Sequence, residues 1–155
     1  MGVHLLDLAS WVSGQRFVEV SACTHPDRRE RKPDDTITVL GRLDGDCHAV
    51  VRATREITSP ENNLIVEGTE ATLLTSALRF APEHVVQVRD RTGTTTERFP
   101  ASPAYELEIC AFEGELRGER SLLPDGEDSV QTVAVTQAVL QTIEERRSVA
   151  VPAVE

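Results

Sequence analysis

The chain has 155 residues, of which 39% are hydrophobic and 27% charged, with a formal net charge of −10 and a pI near 4.9. This is the composition of a globular protein long enough for one domain with a sizeable core. The acidic balance excludes a nucleic-acid partner, which needs clustered Lys and Arg, and no apolar run approaches the roughly 18 residues of a membrane span.

The first fourteen residues, MGVHLLDLASWVSG, read as an amphipathic helix. Val3, Leu5, Leu6, Leu8, Ala9, Trp11 and Val12 are apolar, while His4, Asp7 and Trp11 share one side at i, i+3, i+7 spacing. Gly14 follows the last apolar residue, where a helix likes to stop. A helix that begins on the first residue has nothing ahead of it to cap its amides. That predicts either a frayed start or a chain that is the back part of something longer.

Residues 16–22 then alternate as a strand with one apolar face. Thr24 to Asp35 is the most polar run and reads as an exposed loop; its arginines and Lys32 offer an anion contact, against the ordinary reading of a solvated charge run. Thr36 to Leu43, the turn Asp44-Gly45-Asp46 and a return strand from Cys47 to Ile57 make a hairpin. Ile37, Val39, Gly41 and Leu43 share one face; Cys47, Ala49, Val51, Ala53 and Ile57 share one on the partner strand. One face is apolar and the other largely polar, as in an antiparallel sheet covered on a single side.

After a loop at residues 58–63, Leu64 to Glu67 is a strand, Gly68-Thr69 a turn, and Thr72 to Phe80 a strand. His84 to Asp90 and Thr94 to Phe99 form a hairpin around Gly93. Short turns between successive strands favour an antiparallel meander. Ser102 is expected to cap a helix with Pro103 at its first position, and Tyr105, Ile109 and Phe112 are expected to face the sheet. Pro124 to Asp128 opens a last helix, with acidic residues at its positive end and Arg146 and Arg147 at its negative end. Its expected buried arc is Val133, Val135, Val139, Leu140 and Ile143. Ser148 to Val151 reads as a short final strand ended by Pro152.

G-V-H-L-L-D-L followed by W-V-S-G resembles the D-x-G-x-H-x-x-D helix of the glucose-fructose oxidoreductase and inositol dehydrogenase (Gfo/Idh/MocA) family, which opens that family's C-terminal domain. The likeness extends along the chain. Asp34-Asp35-Thr36 is similar to the acidic pair before the family's first long strand. Leu64 to Thr69, with Leu73 after it, is similar to l-x-I-x-G-T-x-G-x-L, with Ala71 in place of the second Gly. Tyr105 to Phe112 resembles Y-x-x-E-I-x-x-F, with Glu108, Ile109 and Phe112 in register.

The resemblance implies an α+β fold: one domain over residues 1–155, an open, mostly antiparallel sheet with helices packed on one face, and the other face commonly set against a second subunit. It implies the substrate-side and oligomerisation half of an NAD(P)-dependent sugar or polyol oxidoreductase. The family Asp that precedes the histidine by four residues is absent. So are the Gly-rich fingerprint and the E-K-P lysine of the family's N-terminal Rossmann domain, because the only lysine is Lys32 in a polar run.

The expectation is therefore that this chain alone binds no cofactor and is inactive by itself, with NAD or NADP belonging to the full-length family enzyme. A truncated chain or a subunit needing a Rossmann-domain partner would both fit. The alternative is a non-enzymatic dimeric binding or scaffold module derived from the same domain.

In the family the histidine of this helix is a catalytic residue beside the nicotinamide, and it corresponds to His4. With a pKa near neutrality it can take a hydroxyl proton while hydride leaves the same carbon; the ordinary reading is an exposed histidine near a helix end. Asp7 can reach His4 on one helix face and orient it or bind a substrate hydroxyl, against the reading of a plain surface acid. Trp11 and Tyr105 read as packing residues. His25, His48 and His84 have no metal-ligand spacing, and Cys23, Cys47 and Cys110 form no C-x-x-C pair. Three widely spaced cysteines suggest reduced thiols in a cytoplasm, and the partners expected are a small sugar or polyol and a second copy across the sheet face.

Overall fold

In a computed structural model, residues 2–25, 36–55, 62–76, 82–119 and 124–154 are described. The chain divides into two compact units, residues 1–57 with 124–155 and residues 58–123. No helix among the described residues is long and apolar enough to cross a membrane. The basic run at residues 26–35 lies outside the described residues.

The first unit is a four-stranded antiparallel sheet with two helices on one face. Helix α1 is Gly2–Ser13; strands β1 (Phe17–His25), β2 (Thr36–Leu43) and β3 (His48–Thr54) follow. Helix αC (Gly126–Glu145) and the two-residue strand βC (Val149–Ala150) complete the unit. The sheet order is β3-β2-β1-βC.

The inward positions of β2 and β3 are the apolar ones: Val39, Leu43 and Val51 are buried, and Ile37, Ala49 and Ala53 are half-buried. Leu6 of α1 and Val135, Ala138 and Val139 of αC close the core over them. Each fully buried Val or Leu side chain among them contributes about 1.5–3 kcal/mol when taken out of water.

Strand β1 departs from simple alternation. Phe17 pairs with Leu43 and Glu19 with Arg42, so Val18 is an extra residue and the register shifts. This bulge lets Phe17 and Val20, which strict alternation would send to opposite faces, both enter the core, each 1% exposed. Gly41 is the counterpart on β2: a Cβ there would collide with the Phe17 ring, so the phenyl group lies where a side chain would otherwise stand.

αC carries a capping box, with Asp128 N donating to Asp125 Oδ1 at 3.0 Å and Asp125 N donating to Asp128 Oδ2 at 3.1 Å. It ends on Arg146 in the left-handed region, φ 55°. Its buried arc is Gln131, Val135, Ala138, Val139 and Thr142. Val133 and Leu140, expected in that arc, are each 55% exposed. The helix is rotated so that two polar residues, Gln131 and Thr142, take the inward line. Thr142 bonds the Val139 carbonyl at 3.2 Å, which removes the cost of burying its hydroxyl.

The second unit holds strands β4 (Leu64–Glu67), β5 (Ala71–Ser76), β6 (Glu83–Asp90) and β7 (Thr94–Pro100), in that spatial order and antiparallel throughout, followed by α2 (Ala104–Leu116). The turn at Gly93 (φ 153°) is fixed by Asp90, whose Oδ1 accepts from Thr92 N at 2.7 Å, Thr92 Oγ1 at 2.6 Å and Gly93 N at 3.0 Å. Those bonds, the Thr92 hydroxyl first, hold the Asp90 carboxyl below its ordinary pKa.

Two expectations for α2 are corrected here. Pro103, not Ser102, occupies the cap, and no side-chain bond closes it. Tyr105, Ile109 and Phe112 do not face the sheet; they are 68%, 60% and 56% exposed. The helix stops cleanly, with Glu119 N bonding Gly114 O, Gly118 N bonding Glu115 O and Gly118 left-handed at φ 80°.

Candidate functional site

Helix α1 ends because Ser13 turns its hydroxyl back on the backbone. It donates to Ala9 O at 2.7 Å and accepts from Gln15 N at 3.2 Å, while Gly14 adopts φ 64°. Arg16 is then clamped to the β2–β3 turn by two bonds, Arg16 N to Asp44 Oδ1 at 3.2 Å and Asp44 N to Arg16 O at 2.9 Å. Gln15 lies over the same turn, and a Cβ on Gly45 would come within 2.7 Å of its amide. The Gln15 Oε1 atom is buried with no hydrogen-bond partner.

These contacts set the C-terminal half of α1 beside the start of αC and leave a cleft of 310 Å³. Asp7, Ser10 and Trp11 of α1, with Gly14 just after it, form one wall. Gln15 and Arg16 form the floor of the connection, and Pro124, Asp128, Gln131 and Thr132 form the facing wall.

Of the residues singled out in the sequence, His4 is exposed on α1 and does not line this cleft. Asp7, one turn further on, is half-buried and accepts from Thr132 Oγ1 at 3.3 Å. Among the described residues no hydrogen bond joins His4 to Asp7; the structure brings Asp7 to αC instead. Trp11 is not a core residue: it is 56% exposed and lines the cleft. Tyr105 is not packed on a sheet either.

Gln131 and Thr132 were not legible as site residues. Gln131 is 6% exposed and donates through Nε2 to the Phe17 carbonyl at 3.3 Å. The signal for it is a glutamine standing one turn before Val135, on a line that should be apolar. Arg16 Nη2 lies 3.6 Å from Glu127, an exposed pair of little energetic weight.

No cluster of His, Cys, Asp or Glu among the described residues could hold a metal ion. The three cysteines are free thiols.

The sequence profile of the oxidoreductase family C-terminal alpha/beta domain, the Gfo/Idh/MocA C-terminal domain, matches residues 1–151. The chain belongs to this family. Solved structures give the same fold. An NAD binding oxidoreductase from Klebsiella pneumoniae aligns with TM-score 0.77 at 23% identity, covering 99% of this chain and 50% of that one. The UDP-N-acetylglucosamine 3-dehydrogenase of Acidithiobacillus ferrooxidans aligns with TM-score 0.78 at 19% identity, covering 94% and 46%. An aldose-aldose oxidoreductase from Caulobacter crescentus, complexed with glycerol, aligns with TM-score 0.77 at 17% identity, covering 96% and 45%. The chain thus spans about half the length of these structures. No curated protein sequence matches it significantly.

Membership raises the question of where a dinucleotide would sit. The described strands pair antiparallel in both sheets, and the sequence has no Gly-rich turn running from a parallel strand into a helix. The start of αC, which could otherwise attract a phosphate, is closed by its own Asp125–Asp128 box with Glu127 beside it. The described residues do not fit a pyrophosphate.

Proposed function

We propose that this Gfo/Idh/MocA domain is the substrate-side and oligomerisation half of an NAD(P)-dependent sugar or polyol oxidoreductase, inactive without a Rossmann domain to hold the dinucleotide. The observation that carries the reading is the placement of His4. It stands exposed on the helix that the family resemblance assigns to catalysis, with Asp7 on the same face anchored to αC through Thr132. An exposed imidazole on a packed helix is open to a substrate hydroxyl and can take a proton from it. Asp7 is a positioning residue for the α1–αC pair in this reading. The face of the first sheet away from the helices, which carries exposed Leu40 and Val50, is proposed as the surface for a second copy.

The test is NAD(P)-linked oxidation of sugars and polyols by the native assembly carrying His4→Asn. Loss of general-base catalysis predicts a fall in kcat of about 10²–10⁴-fold. Turnover unchanged by the substitution would remove His4 from the chemistry, and absence of turnover in the unsubstituted native assembly would favour the scaffold reading.

A further inference from the structure

We propose that α2 is a docking helix for another polypeptide, and that its partner is a basic amphipathic helix. Tyr105, Ile109, Phe112 and Leu116 follow one another at intervals of four, three and four residues, the d-a-d-a order of a heptad. On a helix these side chains fall within an arc of about 60° at 100° per residue, and each is more than half exposed. Glutamates occupy every flanking position: Glu106 and Glu113 at e, Glu108 and Glu115 at g. Among the described residues Glu106, Glu108 and Glu115 make no ion pair, and Glu113 has only Arg117, 4.0 Å away. Ala111 and Gly114 aside, every residue of α2 is exposed, and no side-chain bond caps its start. A helix of 13 residues is near the lower limit of what stands alone in water, and most helical stability comes from a packed apolar face.

Charge and area name the occupant. Glutamate at each e and g position sets like charge against like in any α2–α2 pair, so α2 does not pair with itself. The same glutamates are repelled by an anionic membrane, whose surface helices carry Lys and Arg instead. The stripe presents on the order of 400 Å² of apolar surface, well short of the roughly 800 Å² per partner of a standard interface, which suits one helix better than a dimer face. What fits is a helix with apolar a and d residues and Lys or Arg at e and g, laid along the stripe knobs into holes. Stripe and flanks belong to one helix, so this docking requires neither His4 nor a dinucleotide.

The probe is a synthetic helical peptide with Leu at a and d and Lys at e and g; its control carries Glu at e and g. Titrated against the full chain, the lysine peptide should bind saturably and the glutamate peptide should not, with affinity falling as salt rises. Hydrogen exchange should find the α2 amides poorly protected in the free chain and protected in the complex. Ile109→Ser and Phe112→Ser should each bind at least tenfold more weakly with unchanged far-UV spectra, while Leu107→Ser, exposed on the opposite side of the helix, should stay within twofold. Glu106→Lys, Glu108→Lys, Glu113→Lys and Glu115→Lys together should transfer binding to the glutamate peptide. A lysine peptide that does not bind, an equal loss in Leu107→Ser, a charge-reversed chain that still prefers the lysine peptide, or α2 amides already protected in the free chain would overturn the proposal. So would a dimer of the free chain that Phe112→Ser dissociates, because a second copy would then be the occupant.

Discussion

The two units are built from strands in equal number but bury very different side chains. Among the described residues, every apolar residue in the buried core belongs to the first unit: Leu6, Phe17, Val20, Val39, Leu43, Val51, and the αC and βC residues behind them. In the second unit the described residues that reach the same burial are Thr75 and Gly114. The difference lies in the sequence of the strands. β2 places Ile37, Val39 and Leu43 on one face and two amphipathic helices cover it, whereas β7 reads TTTERFP and α2 leaves Tyr105, Ile109, Phe112 and Leu116 exposed. A sheet face becomes a core only when another element with a matching apolar face lies on it. Cleft, His4 and Asp7 all stand on the unit that has achieved this, which gives the site a rigid base.

The comparison can be broken by truncation. Phe17→Ala should cost about 3–5 kcal/mol in denaturant unfolding, because a ring 1% exposed leaves a cavity behind. Phe112→Ala, the same change on a ring 56% exposed, should stay within about 0.5 kcal/mol of the parent. Equal losses at the two positions would mean the units are not differently buried. Gly41→Ala sharpens the point from the other side. Its methyl meets the Phe17 ring, and overpacking of this kind costs about 1–3 kcal/mol. Asp125→Ala removes the αC capping box and should cost about 0.5–2 kcal/mol, read as a lower unfolding midpoint with unchanged m-value.

The smallest effects come from single polar groups. Gln15→Leu replaces a buried orphan carbonyl oxygen and should be neutral or stabilising, by up to about 1 kcal/mol. In the second unit, Asp90 has a folded pKa below its ordinary 3.8. Its turn bonds therefore contribute above that value and are lost as pH falls through the folded pKa. Acid titration followed by NMR should release the Thr92 and Gly93 amides in the parent. The corresponding shifts in Asp90→Asn should be flat over the same range.

Much of this was legible in advance. The hairpin at Asp44-Gly45-Asp46, the turn at Gly93 and the acidic start of αC follow from local chemistry, and local chemistry decided them. The misses share a cause. The expected burial of Val133 and Leu140 followed apolar identity, but the helix turned so that Gln131 could bond the Phe17 carbonyl, a partner 114 residues away in sequence. The β1 bulge is equally non-local, since it exists because Gly41 leaves room for the Phe17 ring. Ser102 failed as a cap because Pro103 took that position itself. His4 and Asp7 could be named from the motif, but Trp11 as a cleft wall and Gln131 opposite it required the path from Gly14 to Arg16, which is set by Asp44 on another hairpin.

The central claim is that this domain works against a dinucleotide-binding domain, and native mass spectrometry of the assembly isolated from its own host, with and without NADH, tests it most directly. The account predicts a species heavier than the multiples of 17.0 kDa that this chain alone would give, and one that retains the dinucleotide. An oligomer of the 17.0 kDa chain alone, indifferent to NADH and to NADPH, would contradict it.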